Sequence, residues 1–389
     1  MIMECERDIE AATEYTFYGN MPKKVLLSYL SRSITMGDMV NSKHRDDDIR
    51  MLHNMGAKFI GRAAILWGNP GNDDAHFAKA RETAEKMHKL DAEVILQAGI
   101  FEAIYSGTSE LPIPDWVFKE FGLPVEKRNF SYDAMLFDNG KFKDMWGPGG
   151  SVPDMSKLET RMWFFYRAKR YIDAGYEAFH LGQVHLMSQD DPGFKGWLDM
   201  LGRIRKYASK RARRHFILCD AHTHGIAVDG KLLFDFHSYP LRVKEVAGKP
   251  QEGELAVGYI DSIFKDSMGG ITPSGWKCDS LPYIAEVDNW GSSGKGGEAN
   301  IGGCWIWGYD EICWFARQSE DYRNKWLKYA WDWMKKTDPT GRLQMIGLRC
   351  LADSIDGLNE YSANKPSPAC PTGFNQEDAI KTIWAADKR

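Results

Sequence analysis

The side chains best able to do chemistry stand where short apolar runs end. Glu286 and Asp288 close the run 283–288 (YIAEVD), and Asp220, His222 and His224 finish or follow 215–220 (HFILCD, then AHTHG). Asp235 and His237 close 232–237 (LLFDFH), Glu102 follows 93–100 (EVILQAGI), and Gln183 and His185 end 178–183 and its sequel (AFHLGQVH). Ser28, Tyr29 and Arg32 lie in 24–33, Arg62 and Trp67 in 58–67, and Arg349 in 343–350. Two such carboxylates could serve as acid and base on a glycosidic bond; a separation of about 5–5.5 Å gives retention and about 6.5–9.5 Å gives inversion. The Asp-Ala-His-Thr-His segment at 220–224 could instead offer carboxylate and imidazole to Zn²⁺. Ionisable groups at buried strand ends are costly unless paired, so a ring of them marks a working site.

These residues need a frame. The apolar runs alternate with helical segments: 44–55 stopped by Gly56, 74–90, 158–174 stopped by Gly175, 194–212, 255–266, 312–336 and 376–386. Eight strand-like runs separated mostly by helices predict parallel βα units closing into a (β/α)8 TIM barrel, an α/β fold, with long βα loops. An open doubly wound sheet is the alternative, but no GxGxxG follows the first strand. Residues 1–389 read as a single barrel domain. The stretch at about 103–155, rich in Pro, Gly and aromatics, is too long for a plain loop and is expected as a flap or subdomain on the mouth. Strand alternation puts Gln183 with His185, Asp235 with His237 and Glu286 with Asp288. It joins Asp220, His222 and His224 only if their strand continues through them.

Composition narrows the partners. Of 389 residues, 50 are Lys or Arg and 54 Asp or Glu, leaving a net charge of −4 and no field for nucleic acid or an anionic membrane. The basic run 203–214 (RIRKYASKRARR) reads as the solvated face and last turn of a helix. Seven cysteines without CxxC argue against a disulfide scaffold or zinc ribbon. There is no GxSxG, and no cysteine has an obvious base. The acidic N-terminus shows no signal peptide, which gives a cytoplasmic expectation, or a periplasmic one if a leader was trimmed. No apolar run is long enough to span a membrane. Among 14 tryptophans, Trp314, Trp326, Trp331 and Trp333 suit helix packing, whereas Trp276, Trp290, Trp305 and Trp307 lie in Gly-rich loops and could stack on sugar faces. His180 reads as a hydrogen-bonded core histidine. Asp310 and Glu311 read as solvent-facing or as caps of the next helix.

The segment AEVDNWG at 285–291 resembles the strand-seven region of the clan of retaining (β/α)8 glycoside hydrolases. In that clan a glutamate ending strand seven is the nucleophile, and an Asn–Glu pair after strand four is the acid/base. The resemblance implies Glu286 as nucleophile. At strand four this chain has Gly182-Gln183-Val184-His185 and no Asn–Glu, so the partner carboxylate is sought in Glu102 and then Asp220. FEAIY, PIPDWVFKEFGLP and RYIDAGYEAFHLGQV also resemble glycosidase-like proteins of gut bacteria. The resemblance implies hydrolysis of a glycosidic bond in an oligosaccharide or glycoconjugate, with no cofactor and no metal. Asp288, Gln183, His185, His222, Asp235, His237, Trp290, Trp305, Trp307 and Arg349 would bind the carbohydrate. Two alternatives stand beside it. Residues 220–224 resemble the HxH of amidohydrolase barrels and the DxHxH of polymerase-histidinol-phosphatase-type phosphoesterases, although there the motif belongs to strand one. A non-catalytic carbohydrate-binding barrel would account for the missing strand-four glutamate.

Overall fold

Eight parallel strands follow one another around a barrel: β1 (Ser33–Met36), β2 (Phe59–Ile65), β3 (Ile95–Gly99), β4 (Ala178–His180), β5 (Leu218–Asp220), β6 (His237–Leu241), β7 (Tyr283–Val287) and the start of β8 (Gly341–Ile355). β8 returns to pair with β1. The seam between β5 and β6 is joined by one parallel bridge, His222 to Ser238, so the barrel is nearly closed, as the alternation predicted. The far half of β8 folds back on β9 (Leu358–Ser362) as an antiparallel hairpin. This computed structural model describes residues 14–68, 73–246, 248–249, 251–258, 263, 265, 267–288 and 310–387. No helix among the described residues is long and apolar enough to cross a membrane.

The helices at Arg45–Met55, Asp74–Leu90, Leu158–Asp173, Lys195–Arg211 and Glu377–Ala386 fall where the 3.6-residue periodicity placed them. Four expectations need correction. The run 24–33 is a helix, Lys23–Leu30, and the first strand begins only at Ser33. Val25, Leu26, Tyr29 and Leu30 recur at helical spacing and form a plug under the barrel. They pack with Phe59, Ile95, Ala178, Leu218 and Ile284. Tyr29 therefore stands at the barrel floor. The sixth strand starts at His237, where the expected strand ended. The helix expected at 312–336 is two helices, Glu311–Arg317 and Glu320–Thr337, capped by Asp310 and Ser319. The described residues of 255–266 form no helix, and Val257 bridges Ile263.

Within 103–155, Ile104–Tyr105 pairs with Gly150–Ser151, and a short helix, Asp115–Glu120, contributes buried Val117 and Phe118. The basic run is the exposed face and last turn of the helix Lys195–Arg211, as expected, with Lys206, Lys210 and Arg211 open to solvent, and beyond it two arginines turn onto a buried acid. Arg213 and Arg214 both clamp Glu177, at 2.8 Å and 2.5 Å, and that glutamate is 1% exposed. Removing one side of such a pair leaves charge buried without compensation. Glu177→Ala should therefore lower stability by about 3 kcal/mol, seen as a shift in urea midpoint at constant slope.

Candidate active site

One step above the apolar plug, the inward-facing positions change character. Side chains at i and i+2 share a face, so Ile95 leads to Gln97, Ala178 to His180, Leu218 to Asp220 and Ile284 to Glu286. Barrel interiors are ordinarily filled by bulky aliphatics. Here the layer is polar and internally bonded. Gln344 Nε2 donates to Ser33 Oγ at 2.7 Å, and Gln97 Nε2 donates to Asp220 Oδ1 at 2.5 Å. Asp220 Oδ2 lies 2.8 Å from His180 Nδ1. The sequence reading of His180 as hydrogen-bonded and buried agrees with this. Its Nε2 has no hydrogen-bond partner among the described residues.

Two arginines enter this layer through irregularities in their strands. Register slips between Ile60 and Ala64 of β2, and Arg62 takes φ +52° in between. Regular alternation would give Arg62 the outward parity of Ile60; the bulge turns it inward. Its N–H, taken out of the ladder, donates to Gln97 Oε1 at 2.9 Å. Gly61 beside it leaves room for the Gln344 amide, since a Cβ there would lie 2.4 Å from Nε2. Register also slips where β8 meets β1, between Thr35 and Met36, and Arg349 follows that slip.

Both arginines meet the strand-seven carboxylates. Arg62 Nη2 binds Glu286 Oε1, and Arg62 Nη1 lies 3.4 Å from Asp288 Oδ1. Arg349 Nη2 binds Asp288 Oδ1, and its Nη1 is 3.5 Å from Glu286 Oε2. His222 Nε2 stands 3.3 Å from Glu286 Oε1 and 3.2 Å from Arg62 Nη2. The His180 and His222 rings meet edge to face at 4.6 Å. Burial alone would push the carboxyls of Glu286 and Asp288 up. For Glu286, the Arg62 charge, the His222 hydrogen bond and Arg349 outweigh burial and hold it below the ordinary range. For Asp288, Arg349 and Arg62 do the same. Asp220 goes the other way: burial pushes it up to about 7. Burial also holds His180 well below the usual imidazole value, with the nearby His222 and Arg62 charges adding to the effect.

The other expected residues scatter. Glu102 is buried between the β3 and β4 ends, accepting from Gln183 N at 2.8 Å and Gln183 Nε2 at 3.2 Å. Gly182 is required there: its φ is +65°, and a Cβ would lie 1.7 Å from Glu102 Oε2. His185 reaches Thr223 Oγ1 at 3.0 Å. Asp235 is not brought to the cluster. Because β6 starts later than expected, it sits at the β5–β6 seam, where Oδ2 accepts from Cys219 N at 2.9 Å and Arg205 at 3.2 Å. His237 alternates with Ser238 and bonds Ser267 Oγ at 2.6 Å instead of entering the lumen. Trp276 lies at the barrel floor, donating to Met21 O at 2.9 Å. Glu311, expected at the surface or as a cap, is buried near Arg242. Trp290, Trp305 and Trp307 lie outside the described residues. Sequence reasoning named Arg62 but gave it no role, because a bulge leaves no mark in a period-two pattern.

Asp220, His222 and His224 do not converge: β5 ends at Asp220, and the exposed His224 lies against Tyr239 at 5.2 Å. The group with ligand spacing among the described residues is His222, Glu286 and Asp288, whose ligand atoms lie within 4.8 Å of one another. Those two carboxylates already face two guanidinium groups. A divalent cation would bring excess charge to a balanced site unless an arginine moved away.

No family model and no curated protein matches the sequence. Among solved structures, the chain is similar to a β-L-arabinopyranosidase of Geobacillus stearothermophilus, with 10% identity over 91% of this chain and 78% of that one and a TM-score of 0.39. It is similar to endo-glycoceramidase II of a Rhodococcus species, with 10% identity over 90% and 78% and a TM-score of 0.37. It is also similar to a debranching enzyme of Nostoc punctiforme, with 12% identity, a TM-score of 0.31 and coverage of 52% of this chain. The match spans 42% of that enzyme's length. These neighbours are carbohydrate-active enzymes by name, and at such identities they assign no activity to this chain.

The opposed carboxyls give stability a definite pH dependence. Asp220 keeps its proton to about 7 in the folded chain, against about 3.9 unfolded. Its contribution is full at low pH and is lost as pH rises from about 4 through about 7. Glu286 and Asp288 contribute above the ordinary carboxylate range and lose that contribution as pH falls below it. Asp220→Asn should flatten the decline in urea midpoint between about pH 4 and 7 and leave the acid limb in place.

Proposed function

We propose that the chain is a glycoside hydrolase acting on an oligosaccharide or glycoconjugate, with Glu286 facing the charge that develops at the anomeric carbon. One observation carries this reading: Glu286 is buried yet held ionised, with Oε1 bound by Arg62 and Oε2 facing Arg349 Nη1 at 3.5 Å. Glycosidic cleavage passes through an oxocarbenium-like state. A fixed carboxylate in a low-dielectric site stabilises that state. A depressed pKa suits a nucleophile or charge stabiliser and not an acid, which must hold its proton at working pH.

The acid in this reading is Glu102, fixed by Gln183 after β4. Asp220 lies within the barrel wall, bonded to Gln97 and His180 and fully buried, so it orients His180 instead of reaching substrate. Asp288 and Arg349 hold Glu286 in place, while Gln183, His185 and His222 meet sugar hydroxyls. Trp290, Trp305 and Trp307 stack on sugar faces. The whole chain works as one barrel, with 103–155 as a flap at its mouth. Asp235 and His237 are left out, being placed at the seam and the outer face.

A metal-dependent hydrolase is the second reading, favoured by the ligand spacing of His222, Glu286 and Asp288. Glu286→Gln and Glu102→Gln should each lower kcat by about 10³-fold or more on 4-nitrophenyl glycosides or oligosaccharides, with folding confirmed by circular dichroism. Full turnover in both variants would refute the assignment. One zinc, manganese or iron per chain by elemental analysis, lost in His222→Ala, would replace it with the metal reading.

A further inference from the structure

Outside the site, a buried acidic cluster clasps residues 362–377 to the start of the helix Arg45–Met55. Arg50 grips Asp47 at 2.7 Å and holds both oxygens of Glu377, at 2.8 and 2.9 Å. Asn364 Nδ2 donates to Asp47 Oδ2 at 2.7 Å, and His44 Nδ1 meets the Ala369 carbonyl at 2.7 Å. Asp48 stands apart from this network. It is 0% exposed, and neither of its carboxyl oxygens has a hydrogen-bond partner among the described residues.

The titratable groups that face Asp48 are Asp47 on its own helix, His44 at the cap of that helix and Cys370 on the clasped segment. The Arg50 guanidinium is taken up by Asp47 and Glu377. A helix N-terminus favours an anion weakly. An ionised carboxylate sealed from water without a partner is a much larger cost. Burial therefore pushes the Asp48 carboxyl up to about 6; Asp47 adds to the effect, and Ser42, Asn364 and His44 oppose it.

The clasped segment backs the strand that serves the site. It continues β9, whose Tyr361 pairs with Arg349 of β8. Tyr361 Oη donates to Gln376 Oε1 at 3.0 Å, and Ala363 N donates to Gly347 O at 2.8 Å. Arg349 is the guanidinium that faces Asp288 and Glu286.

We infer that Asp48 is a proton-operated latch: while its carboxyl is protonated, residues 362–377 stay locked to the helix and back the strand that carries Arg349, and when it ionises the clasp loosens. In the opened segment the carboxyl meets water and ionises at about 3.9. The latch is at full strength below about pH 4 and is lost as pH rises through about 6. The opening equilibrium should grow about tenfold between pH 5 and 7.5.

The test is amide hydrogen exchange of residues 363–377 in the full chain at pH 5 and 7.5, corrected for the intrinsic rate, with the helix Leu158–Asp173 as internal reference. The native protein should lose about tenfold in protection there relative to the reference, and Asp48→Asn, an isostere with no proton to lose, less than about twofold. Equal losses in both proteins, as titration of His44 alone would give, or no loss in the native chain, overturns the inference. If Asp48→Asn does not fold, the carbon-13 carboxyl resonance of Asp48 in the native chain decides. A transition near pH 6 that tracks the loss of protection supports the latch, and one in the ordinary aspartate range overturns it.

Discussion

A carboxylate buried inside a barrel does not stay charged unless a cation reaches it. Arg62 reaches Glu286 from a strand whose regular alternation would have pointed it away. Moving either charge out of water alone would cost several kcal/mol, and removing one member of a buried pair commonly costs about 3–5 kcal/mol. The local geometry follows from this demand. β2 bulges, Arg62 accepts a left-handed backbone, and the N–H freed by the bulge is taken by Gln97. Gln97 then donates to Asp220, and Asp220 fixes His180. One irregularity on β2 is thus tied through side chains to β3, β5 and β4.

The same arrangement separates the carboxyls. Glu286 and Asp288 share two guanidinium groups and are held ionised. Asp220, a short distance around the same layer, is bonded to neutral partners and is pushed up to about 7 by burial. Pairs of acids driven apart by their surroundings are the material of acid–base chemistry. In this layer the separation also has a structural use, since a protonated or shared Asp220 can lie in the barrel wall without a counter-ion.

Much of the frame was legible in the sequence. Long helices announced themselves by period and caps, and Glu286 and Asp288 were placed on one face by alternation alone. What was hidden had physical causes. The run 24–33 is short and apolar, a pattern that helix and strand share, and only packing under the barrel decides for the helix. The sixth strand was misplaced because Leu233, Phe234 and Phe236 are apolar for burial outside the barrel sheet, which His237 is the first to join. That error carried Asp235 and His237 into the expected site. Arg62 and Arg349 enter through register slips, which break the very periodicity used to find inward positions.

The central claim is that Glu286 is an ionised carboxylate kept so by Arg62. Carbon-13 NMR of the assigned Glu286 carboxyl, followed from pH 8 to pH 3 in the native chain and in Arg62→Met, tests it most directly. The account predicts that the native resonance keeps its ionised shift below the ordinary glutamate range and that Arg62→Met moves the transition upward. A native transition at or above the ordinary value, or one unmoved by the substitution, would contradict it.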